Sequence, residues 1–374
     1  METVNKLEVY LAGVKVGTMA PYQRYLTAFE YSDEWLRGEY SISPFSLPLQ
    51  PGVKIAKADP FGGLFGIFAD SLPDGWGRLL VDRMLRKAGE QPDAVSPLAR
   101  LSIVGASGMG ALEYRPVYDM KPSVQTADLD RLAAECSKIL KSEESEDLDT
   151  LFALGGSSGG ARPKVMIRQD DGEWIVKFPS SADPKNIGRM EYEYTLCAEA
   201  CGIEVPEVRL FPSEHCDGYF GARRFDRVQT PEGERKIHMA SASALLEVSH
   251  RVPSLDYSSL MALAWQLTRQ ASELQKLFTL MCFNVFAHNR DDHSNNFSFL
   301  CDAGVWRFAP AYDLTYSNSI GGEHATTIAG EGRAPAMKDL LAVAKKAGIK
   351  ENEARRTAER VQEIVNERLT AYLR

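Results

Sequence analysis

Between His288 and Asn296 the chain reads His-Asn-Arg-Asp-Asp-His-Ser-Asn-Asn, and Tyr312-Asp313-Leu314 follows after a short strand-like stretch. A carboxylate at Asp291, an amide one short loop later at Asn296 and a second carboxylate at Asp313 are the parts that phosphoryl transfer from Mg-ATP needs. One group orients a hydroxyl, and the other two offer hard oxygen ligands to Mg2+. Asp and Asn in loops often do no more than cap turns. Here an apolar helical run at 277–286 precedes them, and strand-like runs at 297–300 and 305–308 separate Asn296 from Asp313. Polar residues crowded between elements that must be buried call for a chemical reason. His293, close behind Asp291, can act as a base, but a histidine so placed more commonly fixes loop backbone through its ring nitrogens.

A second group of candidates lies upstream. Gly155-Gly156-Ser157-Ser158-Gly159-Gly160-Ala161-Arg162-Pro163-Lys164 offers backbone N–H groups, at Gly159 and Gly160 above all, and the hydroxyls of Ser157 and Ser158 to phosphate oxygens. It is not a Walker A loop, because no Gly-Lys-Ser/Thr occurs in the chain, and it is not the protein-kinase Gly-x-Gly-x-x-Gly. Lys177, in Trp174-Ile175-Val176-Lys177-Phe178, alternates away from the apolar face of its strand. A strand lysine paired with a helix glutamate steadies ATP phosphates in kinases, and Glu191 or Glu193 on the next helix is the natural partner. Another glycine cluster, 105–110, reads as a tight connection between strands. Arg223, Arg224, Asp226 and Arg227 read as an ion-pair brace.

These residues need a frame. At 374 residues and 44% hydrophobic content the chain can bury a large core, in two or three domains. Residues 1–118 read as an α+β subdomain, with strand alternation at Leu7, Val9 and Leu11 and a helix at 78–88. Residues 119–240 read as a connector, with a helix around 129–140 and a solvated acidic run at 142–147, followed by a strand, strand, helix, strand segment. Its first hairpin runs 164–169 and 173–178 around a turn at Asp171-Gly172. Residues 241–374 read as mostly helical, at 257–270, 273–286 and 351–373. The net charge of −8 argues against broad nucleic-acid affinity. No apolar run reaches the roughly 20 residues of a membrane span, and the polar start at 1–6 lacks a signal-peptide core, so the sequence points to the cytoplasm and to no membrane partner. The six cysteines lack Cys-x-x-Cys spacing and read as buried thiols.

Taken together, the motifs resemble the HipA family of bacterial serine/threonine kinase toxins from type II toxin–antitoxin modules. The resemblance covers nearly the whole chain. It is carried by Phe68-Ala69-Asp70-Ser71-Leu72-Pro73, the stretch 104–112, Gly159 to Lys164, Arg224-Phe225-Asp226-Arg227, Asn289-x-Asp291-x-His293-x-x-Asn296-Phe297-Ser298 and Tyr312-Asp313. It implies a bilobal protein-kinase-like α+β fold, distantly similar to phosphoinositide kinases. By motif position it implies Asp291 as the catalytic aspartate, Asn296 and Asp313 as Mg2+ ligands, and Lys177 as the lysine on the ATP phosphates. It also implies inhibitory autophosphorylation at Ser157 or Ser158, where a phosphoserine's charge of about −1.5 to −2 would stand where ATP phosphates dock. As partners it implies a small DNA-binding antitoxin of the HipB type, DNA reached only through that antitoxin, and a protein substrate such as an aminoacyl-tRNA synthetase. The chain departs from the family at Asn295, where a lysine is frequent, and at Ala240-Ser241, where an acidic pair is usual. A small-molecule kinase and a catalytically silent co-repressor are the alternatives.

Overall fold

The computed structural model of the chain describes residues 4–23, 25–118, 128–231 and 233–373. The polar run read at 1–6 lies partly, and the start of the connector at 119–127 wholly, outside the described residues. The chain packs as two compact units, Met1–Arg189 with Arg209–Met239, and Met190–Val208 with Ala240–Arg374.

The first unit opens with the alternation written in its sequence. In β1 (Leu7–Leu11) Leu7, Val9 and Leu11 are buried and the residues between them are less so, so one face of the strand meets the core. With β2 (Val14–Tyr22), β3 (Leu26–Tyr31), β4 (Lys54–Ile55) and β5 (Leu112–Arg115) it forms a sheet of order β4-β3-β2-β1-β5. The short helices α1 (Asp33–Leu36) and α2 (Gly66–Ala69) connect its parts. α3 (Gly75–Lys87) begins at the Asp74 N-cap, earlier than the periodicity indicates, and buries Leu80 and Met84. α4 (Pro97–Val104) corrects the reading of residues 103–104 as strand: both lie in a helix that Ser96 caps.

α5 (Leu129–Leu140) and α6 (Leu148–Gly155) follow. The next sheet contains β6 (Lys164–Gln169), β7 (Gly172–Lys177), β8 (Val208–Phe211) and β9 (Tyr219–Arg223), in the order β6-β7-β9-β8, and β10 (Arg227–Thr230) pairs with β11 (Gly233–Lys236). Gln169 pairs with Gly172, so the tight turn is Asp170-Asp171, one residue earlier than expected. Trp76, Leu80 and Val81 of α3, Leu132, Cys136 and Ile139 of α5, Leu151 and Phe152 of α6, and Val165, Trp174 and Val176 of the sheet share one hydrophobic cluster. Residues on both sides of the expected boundary at 118 therefore build a single core.

α7 (Ile187–Ala200) and β12 (His238–Ser241) lead into the second unit, where α8 (Ala242–Leu246) follows. β13 (Leu255–Asp256) introduces α9 (Tyr257–Thr268) and α10 (Ala271–Phe286). β14 (Ser298–Asp302) and β15 (Val305–Phe308) extend a sheet of order β12-β14-β15, and β16 (Thr326–Thr327) pairs in parallel with β13. α11 (Met337–Lys346), which the sequence reading missed, buries Leu340, Val343 and Ala344. α12 (Glu351–Arg368) buries Ala354, Ala358, Val361 and Val365 at helical spacing, and Leu369 just beyond its end is buried too. The α+β class expected from the sequence is the one observed. Among the described residues no helix is long and apolar enough to cross a membrane.

Candidate functional site

In the first unit, α6 ends at Gly155 and the Gly-rich loop runs from there to Lys164 at the start of β6. Its serines are both engaged. Ser157 Oγ donates to Ser107 O at 3.0 Å, and the buried Ser158 Oγ donates to Gly155 O at 2.6 Å. The first turn of α3 clamps the loop at its backbone carbonyls. Trp76 N–H donates to Gly160 O at 2.9 Å, and its indole N–H donates to Lys164 O at 3.0 Å. A methyl group on Gly75 would overlap Gly160 O, and one on Gly77 would overlap Ser158 O, so two glycines around Trp76 let the helix touch the loop's main chain. This contact went unseen in the sequence. Its signal was two glycines in a helix start, each about 1 kcal/mol worse than alanine in a helix interior. Gly159, by contrast, is exposed with open space about it.

Lys177 stands on β7 with the buried Trp174 and Val176 facing the other way, as alternation requires. Its cross-strand partners are Lys164 on β6 and Phe220 on β9, and its Nζ lies 5.4 Å from the Phe220 ring centre. Lys164 is buried and packs beneath Gly160. Two ammonium-bearing residues thus share one sheet face at the foot of the loop, a placement suited to phosphate. The sequence reading assigned no role to Lys164.

The Arg/Asp cluster is a brace, as expected. Arg224 pairs with Asp226 at 2.8 and 3.0 Å, Arg227 pairs with the same carboxylate at 3.0 Å, and Gly110 N–H donates to it at 2.7 Å. Burial would raise the Asp226 pKa, yet the two arginines hold it below the ordinary carboxylate value. Both arginines also donate to Gly108 O. The 105–110 glycine cluster is therefore structural. Gly105 closes α4 at φ +55°, and the brace fixes the loop on which Ser157 rests.

In the second unit, the 288–296 loop leaves α10 and ends in a single 3-10 turn, Ser294–Asn296. Asp291 is the exposed member of this loop, its side chain 63% accessible. Asn296 Nδ2 donates to Asp291 O at 2.8 Å; only an N–H can meet that carbonyl, so Oδ1 is the atom Asn296 can offer a cation. The Asp313 segment is tied to the same loop. Tyr312 Oη donates to Asn295 O and bonds Ser298 Oγ at 2.6 Å, and Ser317 N–H donates to His288 O at 3.0 Å. Asp313 itself adopts φ +55°, a left-handed conformation that Asp tolerates better than most residues. Asp291, His293, Asn296 and Asp313 are thus gathered on two interlocked loops.

His293 differs from expectation. Its Nδ1 is buried with no hydrogen-bond partner among the described residues, and Nε2 lies 3.9 Å from Asp291 Oδ1, so its ring does not brace the loop backbone. That task falls to Asp292, which the sequence reading passed over. Fully buried, its carboxylate accepts from Tyr257 Oη at 2.9 Å and contacts His324 Nδ1 at 2.9 Å. On α7, Glu193 accepts from Tyr372 Oη at 2.7 Å, while Glu191 is buried.

No group of three His, Cys, Asp or Glu side chains forms a ready metal cage among the described residues. Asn296 and Asp313 still fit Mg2+. Both bear hard oxygens, and this ion typically takes one or two protein ligands and fills the rest of its shell with phosphate and water.

Comparison with known proteins places the chain in a family. The family described as the HipA-like C-terminal domain matches residues 156–369, and the HipA N-terminal domain family matches residues 7–115. A protein of Sinorhizobium fredii that carries a kinase name, Y4mE, is 28% identical over 349 residues, covering 83% of this chain and 77% of that protein. HipA of Shewanella oneidensis MR-1, solved with HipB and its operator DNA, superposes with a TM-score of 0.72 at 18% identity, over 98% of this chain and 90% of that one.

Proposed function

The chain belongs to the HipA family, and from that premise we propose that it is an ATP-dependent serine/threonine protein kinase. The observation that carries the proposal is the pair of interlocked loops in the second unit, which present an exposed Asp291 beside Asn296 and the Asp313 segment. Asp291 accepts the hydrogen bond of a substrate serine hydroxyl and aims its oxygen. Asn296 and Asp313 would hold Mg2+, which when bound neutralises charge on the phosphates. In the first unit, Gly159 and Gly160 offer backbone N–H groups to phosphate oxygens, with Lys177 of the same unit as a counter-charge, and Glu191 is assigned to the nucleotide side. His293, beside Asp291, is assigned to the nucleotide side. The γ-phosphorus–oxygen bond breaks, the serine oxygen takes the phosphoryl group, ADP leaves, and the hydroxyl proton passes to Asp291 or solvent.

Ser157 and Ser158 are the proposed sites of inhibitory autophosphorylation. Each now donates its hydroxyl to a backbone carbonyl, a bond that a phosphate ester cannot make. The proposed partners are a HipB-like DNA-binding antitoxin and a protein substrate of the aminoacyl-tRNA synthetase type. The test is incubation of purified protein with Mg-ATP followed by peptide mass spectrometry. Phosphate on Ser157 or Ser158 in the wild type, and none in Asp291→Ala, is the expected result; unmodified protein that instead phosphorylates a sugar or an antibiotic would replace it with a small-molecule kinase.

A further inference from the structure

Asp291 reaches into solvent between the half-buried Arg290 and the buried Asp292, and an unbroken run of side-chain hydrogen bonds holds that backbone. Asn289 Nδ2 donates to Asn284 Oδ1, Asn284 Nδ2 to Tyr257 Oη, and Tyr257 Oη to Asp292 Oδ2, each at 2.9 Å. His324 Nδ1 meets the same carboxylate oxygen at 2.9 Å. Thr326 closes the run, its N–H donating to Asp292 Oδ1 at 3.3 Å and its hydroxyl to Asp292 O at 2.6 Å. All six residues are buried.

The run grips the chain on both sides of Asp291, at Asn289 before it and at Asp292 after it. Arg290 between them is held too, its carbonyl accepting from Ala325 N–H at 3.1 Å. Asn289 also forms a parallel bridge to Ser317, so the same run sets the register of the Asp313 segment. A carboxylate buried this deeply is expensive, and apolar side chains would fill the space at lower cost. Directional hydrogen bonds provide what apolar packing does not, a single orientation. Tyr257 Oη uses its proton on Asp292 and its lone pair on Asn284, so replacing this one hydroxyl breaks the run in the middle.

We infer that Tyr257, Asp292 and His324 are positioning residues for Asp291, fixing the backbone from which it meets the acceptor hydroxyl; this rests on the role proposed for Asp291. The test measures phosphoryl transfer and backbone amide exchange in the full chain. Tyr257→Phe keeps the ring and should lower kcat about ten- to a hundredfold, the cost of a misplacement on the order of 1 Å, with KM for ATP within about twofold. Exchange at 289–292 should quicken while α12 stays protected. His324→Leu should behave likewise, and His324→Asn, whose amide nitrogen can occupy the place of Nδ1, should regain most of kcat.

Wild-type kcat in Tyr257→Phe and His324→Leu, with only a lowered Tm, would overturn the inference. Unchanged exchange at 289–292 would overturn it as well, whether or not transfer is detected. Undiminished transfer by Asp291→Ala would instead remove the proposed function.

Discussion

The two loops proposed to carry the chemistry are held with different emphasis. The Gly-rich loop of the first unit is clamped at its own carbonyls, by Trp76 N–H on Gly160 O and the Trp76 indole on Lys164 O, and by the close approach that Gly75 and Gly77 permit. The 288–296 loop of the second unit is held by buried side chains, from Asn289 through Tyr257 to Asp292. Such a clamp holds the loop's carbonyls and leaves Gly159 open, as suits a segment that must close around phosphates. A side-chain run fixes one carboxylate against one direction of approach, as suits a group that must aim a hydroxyl.

The contrast is sharpest where it is broken. Arg224 and Asp226 belong to a buried side-chain network of the first unit, and they hold the 105–110 loop beneath Ser157. Arg224→Met should cost roughly 3–5 kcal/mol in urea unfolding, because it leaves a buried carboxylate with half its cationic support. A cost below about 1 kcal/mol would mean that this loop, too, is held by its main chain.

Acid probes the same unit. His238 contacts Ile42 O at 2.8 Å through Nε2, and burial pushes its pKa down to about 4. The folded state therefore keeps it neutral while the unfolded chain, with a value near 6.5, takes up a proton. The stability it contributes is complete above pH 6.5 and drains away as pH falls toward 4, by roughly 3 kcal/mol at most. His238→Gln should remove that slope from the difference between unfolding curves at pH 7 and pH 5; an unchanged slope would assign the acid sensitivity to other groups.

A smaller effect separates a glycine of the clamp from one of the loop it holds. Gly77→Ala should destabilise by about 1–3 kcal/mol and weaken ATP binding, since the methyl group overlaps Ser158 O. Gly159→Ala meets nothing within 4 Å and should change stability by less than about 0.5 kcal/mol. Equal effects, read by thermal unfolding and nucleotide titration, would remove the backbone-clamp description.

Much of this was legible in the sequence because it is local. Alternation marked β1 and β7, the helical stripe marked α12, and the polar cluster between apolar elements marked Asp291 and Asn296. Asp292 was overlooked because its partners Tyr257 and His324 are far off in the chain, and a loop reading sees only neighbours. Trp76 was overlooked for the same reason, its contact with Lys164 joining two regions that no periodicity connects. Residues 103–104 read as strand because a short apolar run carries no period of its own, and the Ser96-Pro97 helix start was the signal left unused.

The most direct measurement is phosphoryl transfer from γ-labelled ATP by the full chain, wild type beside Asp291→Ala, with ATP affinity measured on both. The expected result is a loss of roughly 10²–10⁴-fold in kcat with binding of ATP retained. Equal transfer by the two proteins would contradict the assignment of Asp291.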